Sequence, residues 1–479
     1  MTSDLSSNAA LPPTPLHVRV RLSIMMFLQY AIWGAWLPLM YLFVAFDRGF
    51  APSLIGYLFM VGGVGALFGP FIAGQIADRY FNTEKFLAIS HLLGAVLVWQ
   101  LSWIESYSAF LLFALLYSLI YAPTLALTNS LAFHHLVDRD RDFGRVRLWG
   151  TIGWIVVGIG IGQYLLHYHT PAAATEEATL RAQAAGIANA FRLSAVLGIV
   201  MGIYCLLLPK TPPARNKGSN AAAKALAEAK RQPLLTLFLL AVPISCIHQF
   251  YFIHTSPFLA TFQNRLASGI NSIFGVGGGG LMTIGQISEV LVLALIPLVA
   301  KTLSRKTLLA IGVSAYAVRM ALFAYVESIS AATGIPEIAI LVAGVALHGL
   351  CFGCFIFVAF MVVDENTAPD IRASAQNLFN LVIIGIGIIV GSVVAGYIGE
   401  WATEGTVTDY TRLFSVPMWV AVACLVFLLL FYPRHTARSA MGGTPCPRCG
   451  STRVGTYCAH CGASVTDADD VAPAREVAR

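Results

Sequence analysis

Long apolar stretches separated by short polar segments run through most of the chain. They fall near residues 22–46, 53–76, 86–104, 107–134, 146–167 and 187–208, and again near 234–262, 281–300, 307–326, 337–363, 373–399 and 414–433. About twenty residues of helix rise about 30 Å, the thickness of a bilayer's hydrocarbon core. The pattern therefore predicts an all-α integral membrane protein with twelve transmembrane helices in two six-helix halves, residues 21–208 and 234–433. A polar tail, 1–20, precedes the first half. Its first apolar run, at 25 residues, exceeds the roughly 7–15 of a cleavable signal and is expected to stay as a span. Between the halves lies 209–233, PKTPPARNKGSNAAAKALAEAKRQP, a linker rich in Lys, Arg, Ala and Pro. Equal halves around such a linker indicate duplication. After the last span come a linker, 434–444, a cysteine-bearing module, 445–463, and a polar tail, 464–479, expected to be disordered.

Composition fits a lipid setting, with 57% hydrophobic and 11% charged residues against about 25% charged in soluble domains. The formal net charge of +6 could point to nucleic acid, but the placement of the cations explains it through topology. Loops on the side of the N-terminus hold Arg79 and Lys85, then Arg139, Arg141, Arg145 and Arg147, then the linker cations, then Lys301, Arg305 and Lys306, and finally Arg372. Opposite loops offer little beyond Arg48, Arg181, Arg265 and Arg412. The positive-inside rule puts both termini and the linker in the cytoplasm.

One carboxylate breaks the apolar run of the eighth span: Glu289, with Gln286 one turn before it on the same helical face. An acidic side chain at a helix centre costs roughly 2.5–3.5 kcal/mol on insertion scales, so it marks a candidate functional site. A fastening role between two helices is the alternative. Arg319 in the ninth span is a second mid-membrane charge, suited to neutralising Glu289 or to bonding carbonyls at a helix contact. No nucleophile–base constellation or catalytic metal set occurs in the spans, so an enzyme is not expected.

Between the second and third spans, Gly74-Gln75-Ile76-Ala77-Asp78-Arg79 resembles the cytoplasmic loop signature of the major facilitator superfamily, Gly-x-x-Ala-Asp-Arg. Its chemistry suits a gate: glycine permits close helix approach and Asp78 can pair with a neighbouring arginine. The second half has only a degenerate counterpart in Lys301, Arg305 and Lys306. Longer runs narrow the likeness. Phe27-Leu28-Gln29-Tyr30 through Trp33-Gly34-Ala35-Trp36-Leu37, Tyr121-Ala122-Pro123-Thr124-Leu125, Arg147-Leu148-Trp149-Gly150-Thr151-Ile152-Gly153, Gln286-Ile287-Ser288-Glu289 and Ile371-Arg372-Ala373-Ser374-Ala375-Gln376 resemble the nucleoside:proton symporters, over roughly residues 20–433. The resemblance implies the major facilitator fold and uptake of nucleosides with protons across the bacterial inner membrane, by alternating access around a central cavity between the halves.

It also implies site residues. Arg147, Thr151 and Trp154 match positions that contact the nucleoside in relatives. At i, i+4 and i+7 they set a cation, a hydroxyl and an aromatic plane on one helical stripe, suited to ribose and base. Gln249 in the seventh span matches a substrate-contacting Gln, whereas Phe252 stands where the family can present Asn. Gln286 and Glu289 match ligand-site positions, and His348 and Phe352 lie at i and i+4 of the tenth span. Where a well-known relative has a proton-coupling Asp, this chain has Gly353. Glu289 is then the expected proton carrier, with help from His348, whose free imidazole titrates near neutral pH; otherwise the protein is an uncoupled facilitator.

The run Gly275–Gly280 is expected to form a flexible external loop, and Cys351 and Cys354 to be packing residues. The tail differs in kind. Cys446-Pro447-Arg448-Cys449 and Cys458-Ala459-His460-Cys461 give four thiolates spaced for tetrahedral Zn2+, a small four-cysteine zinc ribbon whose folding the metal would have to drive. A cytoplasmic protein partner fits such a module; nucleic acid is not expected, with only Arg448 and Arg453 to hold it. The rival readings are a carrier for another polar solute such as a sugar, and a transporter-like sensor signalling through the zinc ribbon.

Overall fold

A computed structural model of the chain describes residues 14–80, 82–172, 174–212, 221–266, 268–367, 371–405, 407–433, 444–445 and 452–453. Among them are twelve helical segments long and apolar enough to cross a membrane: Leu16–Asp47, Pro52–Gly69, Thr83–Leu101, Tyr107–His135, Arg141–Tyr168, Glu176–Cys205, Leu234–Gln263, Gly279–Ile296, Arg305–Ala324, Glu337–Glu365, Ser374–Trp401 and Tyr410–Phe431. Helix is the expected answer to apolar sequence in lipid, because it satisfies every backbone polar group within the segment.

The chain divides into two compact units, residues 1–216 with 252–283, and residues 217–251 with 284–479. In the first, the first span packs along the fifth and sixth, the second on the fourth, and the third on the fourth and sixth. Small residues set these distances. A Cβ on Gly153 would come 2.3 Å from the Phe27 carbonyl oxygen, so the fifth span can lie this close to the first only with glycine there. In the second unit the ninth span packs along the twelfth and the tenth.

Three boundaries differ from the sequence reading. The sixth span begins at Glu176, because the alanine-rich stretch Glu176–Gly186 is helical and Thr175 caps it, its hydroxyl accepting from Ala178 N (3.3 Å). The linker contains a short helix, Ala221–Ala229, packed against Arg372–Asn380. Helix Pro52–Tyr80 runs straight through Gly74, Asp78 and Arg79, which the sequence suggests as a loop; no breaker intervenes before Asn82. The side chains of those three lie outside the described residues.

The glycine run is a packed turn rather than a flexible loop. Gly275, Gly277 and Gly278 have φ of 73°, 83° and 77°, and Gly279 starts the next helix. Val276 is buried and its N–H donates to Gly162 O (3.0 Å). Buried Gln263 holds the turn from within, accepting from Gly278 N (2.8 Å) and donating to Gly275 O (2.9 Å). Left-handed backbone, not mobility, is what these glycines supply.

The ends of the helices are tied by charge. Thr211, just past the sixth span, donates its N–H to Glu84 (2.9 Å), accepts from Thr83 N (3.0 Å) and meets His135 Nε2 through its hydroxyl (2.8 Å). In the second unit Arg305 pairs with Glu365 at the end of the tenth span, and Lys306 donates to Leu429 O and Tyr432 O at 2.7 and 2.6 Å. The degenerate counterpart of the loop signature is therefore an ion pair plus a helix C-cap.

Candidate functional site

The second unit builds its polar centre on one close helix contact. Ser288 Oγ donates to Ala346 O (2.6 Å) and accepts from Gly349 N (2.9 Å). A Cβ on Gly349 would lie 2.4 Å from Ser288 O, so only glycine lets the eighth and tenth spans meet there. The neighbours of this clasp are Glu289 and His348. Its effect is to set Glu289 Oε2 3.5 Å from His348 Nε2. His348 is buried, while the Glu289 side chain keeps 17% exposure. Gly285, whose added Cβ would come 3.0 Å from His348 Cβ and 3.1 Å from Tyr251 OH, clears room for the imidazole.

On its other side His348 Nδ1 lies 3.2 Å from Arg319 Nη1. A guanidinium only donates, so Nδ1 accepts, and the neutral imidazole carries its hydrogen on Nε2, turned toward Glu289. Arg319 is wholly buried, its Cζ 4.1 Å from the Tyr251 ring centroid and 5.0 Å from that of Tyr316. Tyr251 stacks on His348 (centroids 4.9 Å), as does His248 (5.4 Å), and His248 Nδ1 meets Tyr316 OH at 2.7 Å. Anion, imidazole and cation thus stand in line inside an aromatic box. At the carboxylate end such a row can bind or release a proton, while the guanidinium stays charged.

Gln286, half-buried, lies one turn before Glu289, and Phe352, half-buried, one turn after His348. Phe352 sits in a π-helical stretch, Cys351–Phe357, a backbone irregularity that frequently accompanies function. Gln249 is buried where the seventh span crosses Gly391 of the eleventh. Gly353 is filled in from outside: a Cβ there would come 2.6 Å from Val292 Cγ1. Cys351 and Cys354 are buried and unbonded to each other, the packing role expected of them.

In the first unit Arg147, Thr151 and Trp154 lie half-buried along one face of helix Arg139–Tyr168. Arg147 Cζ sits 3.9 Å from the Tyr30 ring centroid, and Trp33 meets Trp154 edge to face at 6.1 Å. Arg147 therefore stacks on an aromatic instead of reaching for the rim. Deeper in, Gln29 Nε2 donates to Thr124 Oγ1 (2.8 Å) and Gln29 Oε1 meets His91 Nε2 (3.0 Å), all buried.

Sequence reasoning named Glu289, His348, Arg147 and Trp154 but missed Tyr30, Trp33, His248, Tyr251 and Tyr316 as their supports. A signal existed in the spacing: Tyr30 and Trp33 are i and i+3, as are Tyr316 and Arg319. The four tail cysteines, Cys446, Cys449, Cys458 and Cys461, lie outside the described residues. The segments flanking the first pair are described, and they pair as two-residue antiparallel strands, Thr444 opposite Arg453 and Pro445 opposite Thr452. Among the described residues no group of three or more His, Cys, Asp or Glu could hold a metal.

A family model described as "Nucleoside H+ symporter" matches residues 16–437. The chain is 29% identical to the putative nucleoside transporter YegT of Escherichia coli (strain K12), covering 87% of this chain and 94% of that protein. It is 27% identical to nucleoside permease NupG of the same organism, covering 88% and 97%. The crystal structure of NupG superposes with a TM-score of 0.74 at 25% identity, over 88% of this chain and all of that one. A bacterial homolog of the human lysosomal transporter Spinster, at 14% identity and a TM-score of 0.62, shares the fold. These matches do not favour the sugar-carrier and sensor readings, and the family and the relatives are transporters, not enzymes. A multi-pass membrane protein whose twelve described spans all lie within the residues matched by one transporter model, the chain belongs to the nucleoside H+ symporter family and imports nucleosides together with protons.

Proposed function

We propose that Glu289 is the residue that carries the coupling proton, and that the nucleoside is contacted by Arg147, Thr151, Trp154, Gln249, Gln286, Glu289, His348 and Phe352. The observation that carries the reading is the line Glu289, His348, Arg319. Glu289 is the one carboxylate well inside the spans of the second half, and His348 is aimed at it (3.5 Å). Protonation converts an acceptor-only carboxylate into a group that also donates, so its bonds to ribose hydroxyls or to His348 must change with the proton. The stripe on the fifth span suits the rest of a nucleoside: Trp154 offers a face for a base, and Arg147 and Thr151 offer donors.

Transport across the inner membrane with both termini and the linker cytoplasmic is the orientation favoured by the Lys and Arg distribution. A zinc ribbon at Cys446, Cys449, Cys458 and Cys461 is supported by ligand spacing and by the antiparallel pairing of Thr444–Pro445 with Thr452–Arg453 on either side of the first pair. It is a candidate docking point for a cytoplasmic protein.

The test is uptake of labelled uridine into proteoliposomes with and without an inward proton gradient. Wild type is expected to accumulate uridine only with the gradient, and Glu289→Gln to lose accumulation. Unchanged accumulation by the variant would show that the proton travels elsewhere.

A further inference from the structure

We propose that Arg319 is the internal counter-ion of Glu289, a positioning residue whose guanidinium, linked to the carboxylate through His348, becomes the carboxylate's partner when proton and nucleoside leave. The proposal rests on the reading of Glu289 as proton carrier and adds the group that makes proton release possible.

Arg319 is fully buried in the second half of the ninth span, Arg305–Ala324, where an unpaired cation is costly. It has one hydrogen-bond partner, His348 Nδ1, while Nε and Nη2 have none among the described residues. Stacking on Tyr251 and Tyr316 holds the guanidinium plane but leaves those two N–H groups without acceptors. A guanidinium fork with two free donors is shaped for a carboxylate. Glu289 lies one imidazole away, on the far side of His348. The groups packed around the row are His248 and Tyr251 from the seventh span, Tyr316 from the ninth, and His348 and Cys351 from the tenth. None of these is a carboxylate, and Glu289 is the anion that stands beside His348 in the row.

Two arrangements follow from this inventory. With Glu289 ionised, the row holds one negative and one positive charge and is neutral overall. With Glu289 protonated, Arg319 is left as an uncompensated buried cation. Arg319 therefore works against proton loading unless something else occupies the carboxylate, and it draws the proton off once the nucleoside has gone. His348 keeps the two charges apart yet linked, accepting from Arg319 and donating toward Glu289.

The experiment compares gradient-driven accumulation of uridine with gradient-free counterflow in the same proteoliposomes, across a range of external pH. In Arg319→Gln the ratio of accumulation to counterflow is expected to fall at least about tenfold, within the usual range of coupling between sites, and Arg319→Lys is expected to restore most of it. An unchanged ratio and pH profile in Arg319→Gln overturns the proposal. If Arg319→Gln fails to fold, the double variant Glu289→Gln/Arg319→Gln is expected to give monodisperse protein, because the charges leave together; failure of both overturns the proposal in favour of a scaffold role. Glu289→Gln alone separates the two readings. Accumulation retained there removes the proton-carrier assignment, whereas its loss beside an unaffected Arg319→Gln removes the counter-ion only.

Discussion

The contact between Ser288 and Gly349 sets the geometry of the polar centre, and Gly349→Ala is the smallest change that attacks it. The new Cβ would lie 2.4 Å from Ser288 O and 2.5 Å from Ser288 C, about 1 Å inside ordinary van der Waals contact. Both obstacles are backbone, so no rotamer change can relieve them and the eighth and tenth spans must separate. Overpacking of this kind costs about 1–3 kcal/mol. Separation also weakens the Gly349 N to Ser288 Oγ and Ser288 Oγ to Ala346 O bonds, worth roughly 0.6–1.7 kcal/mol each between membrane helices. A total near 3 kcal/mol is the working figure, toward the upper end of single substitutions. Ser288→Ala loses the bonds without the clash and should cost about 1 kcal/mol by the same scale. Gly160→Ala, whose Cβ meets nothing within 4 Å, is the control and should be neutral or slightly stabilising, by up to about 1 kcal/mol of helix propensity. Thermal unfolding of purified protein followed by intrinsic fluorescence ranks the three, and uridine uptake reports whether Glu289 has lost its place beside His348. Gly349→Ala as stable and active as Gly160→Ala would refute the reasoning.

Tyr30→Leu removes the ring under Arg147, a cation–π contact worth about 0.5–2 kcal/mol, and should raise the KM for uridine between about twofold and thirtyfold, while Tyr30→Phe stays near wild type. Gly353→Asp should destabilise the carrier, because Val292 Cγ1 occupies the space 2.6 Å from the new Cβ; Gly353→Asp/Val292→Ala should recover stability in the same unfolding assay. Metal analysis of purified full-length protein should find about one zinc per chain, the stoichiometry of a four-cysteine site, and Cys446→Ser/Cys458→Ser should remove it while gradient-driven uptake persists.

Much of the fold is visible in the sequence because lipid imposes one rule: a span must be apolar for about twenty residues and helical throughout. Twelve such runs specify twelve helices, and the errors sit at their ends. Thr175 and the alanines after it read as a polar loop since helix-forming tendency without apolarity is a weak signal in a membrane pattern. The Gly275–Gly280 run reads as a loop because composition does not separate a glycine used for freedom from one used for a left-handed turn. Within the site, single charges in apolar runs stand out, which is why Glu289 and Arg319 were legible. What they touch was not, because contacts depend on which helix faces meet. His348 between Arg319 and Glu289, and Val292 over Gly353, join residues from three different spans, and no local spacing predicts either.

Two buried histidines of the carrier, His91 and His348, sit in networks of different charge, and that difference supports the proposed place of coupling in the second half. His91 meets Gln29 Oε1 (3.0 Å), and Gln29 in turn donates to Thr124 Oγ1 (2.8 Å). Every partner of His91 in that chain is neutral, so each bond is satisfied with a neutral imidazole, and the network ties the first, third and fourth spans together. His348 has a cation on one nitrogen and a carboxylate facing the other. Moving one proton there changes the net charge of a buried row and therefore which partners it can keep. Among the spans of the first half, the acidic residues lie toward helix ends, as with Asp47, Glu84, Asp142 and Glu176. A proton gradient can do work only where protonation alters binding, and the row built on Glu289 is where we propose that it does so. With Gly353 packed against Val292, the position where a well-known relative has a proton-coupling Asp has no carboxylate here, and the proton carrier we propose is Glu289 on the eighth span, one imidazole away from a buried arginine.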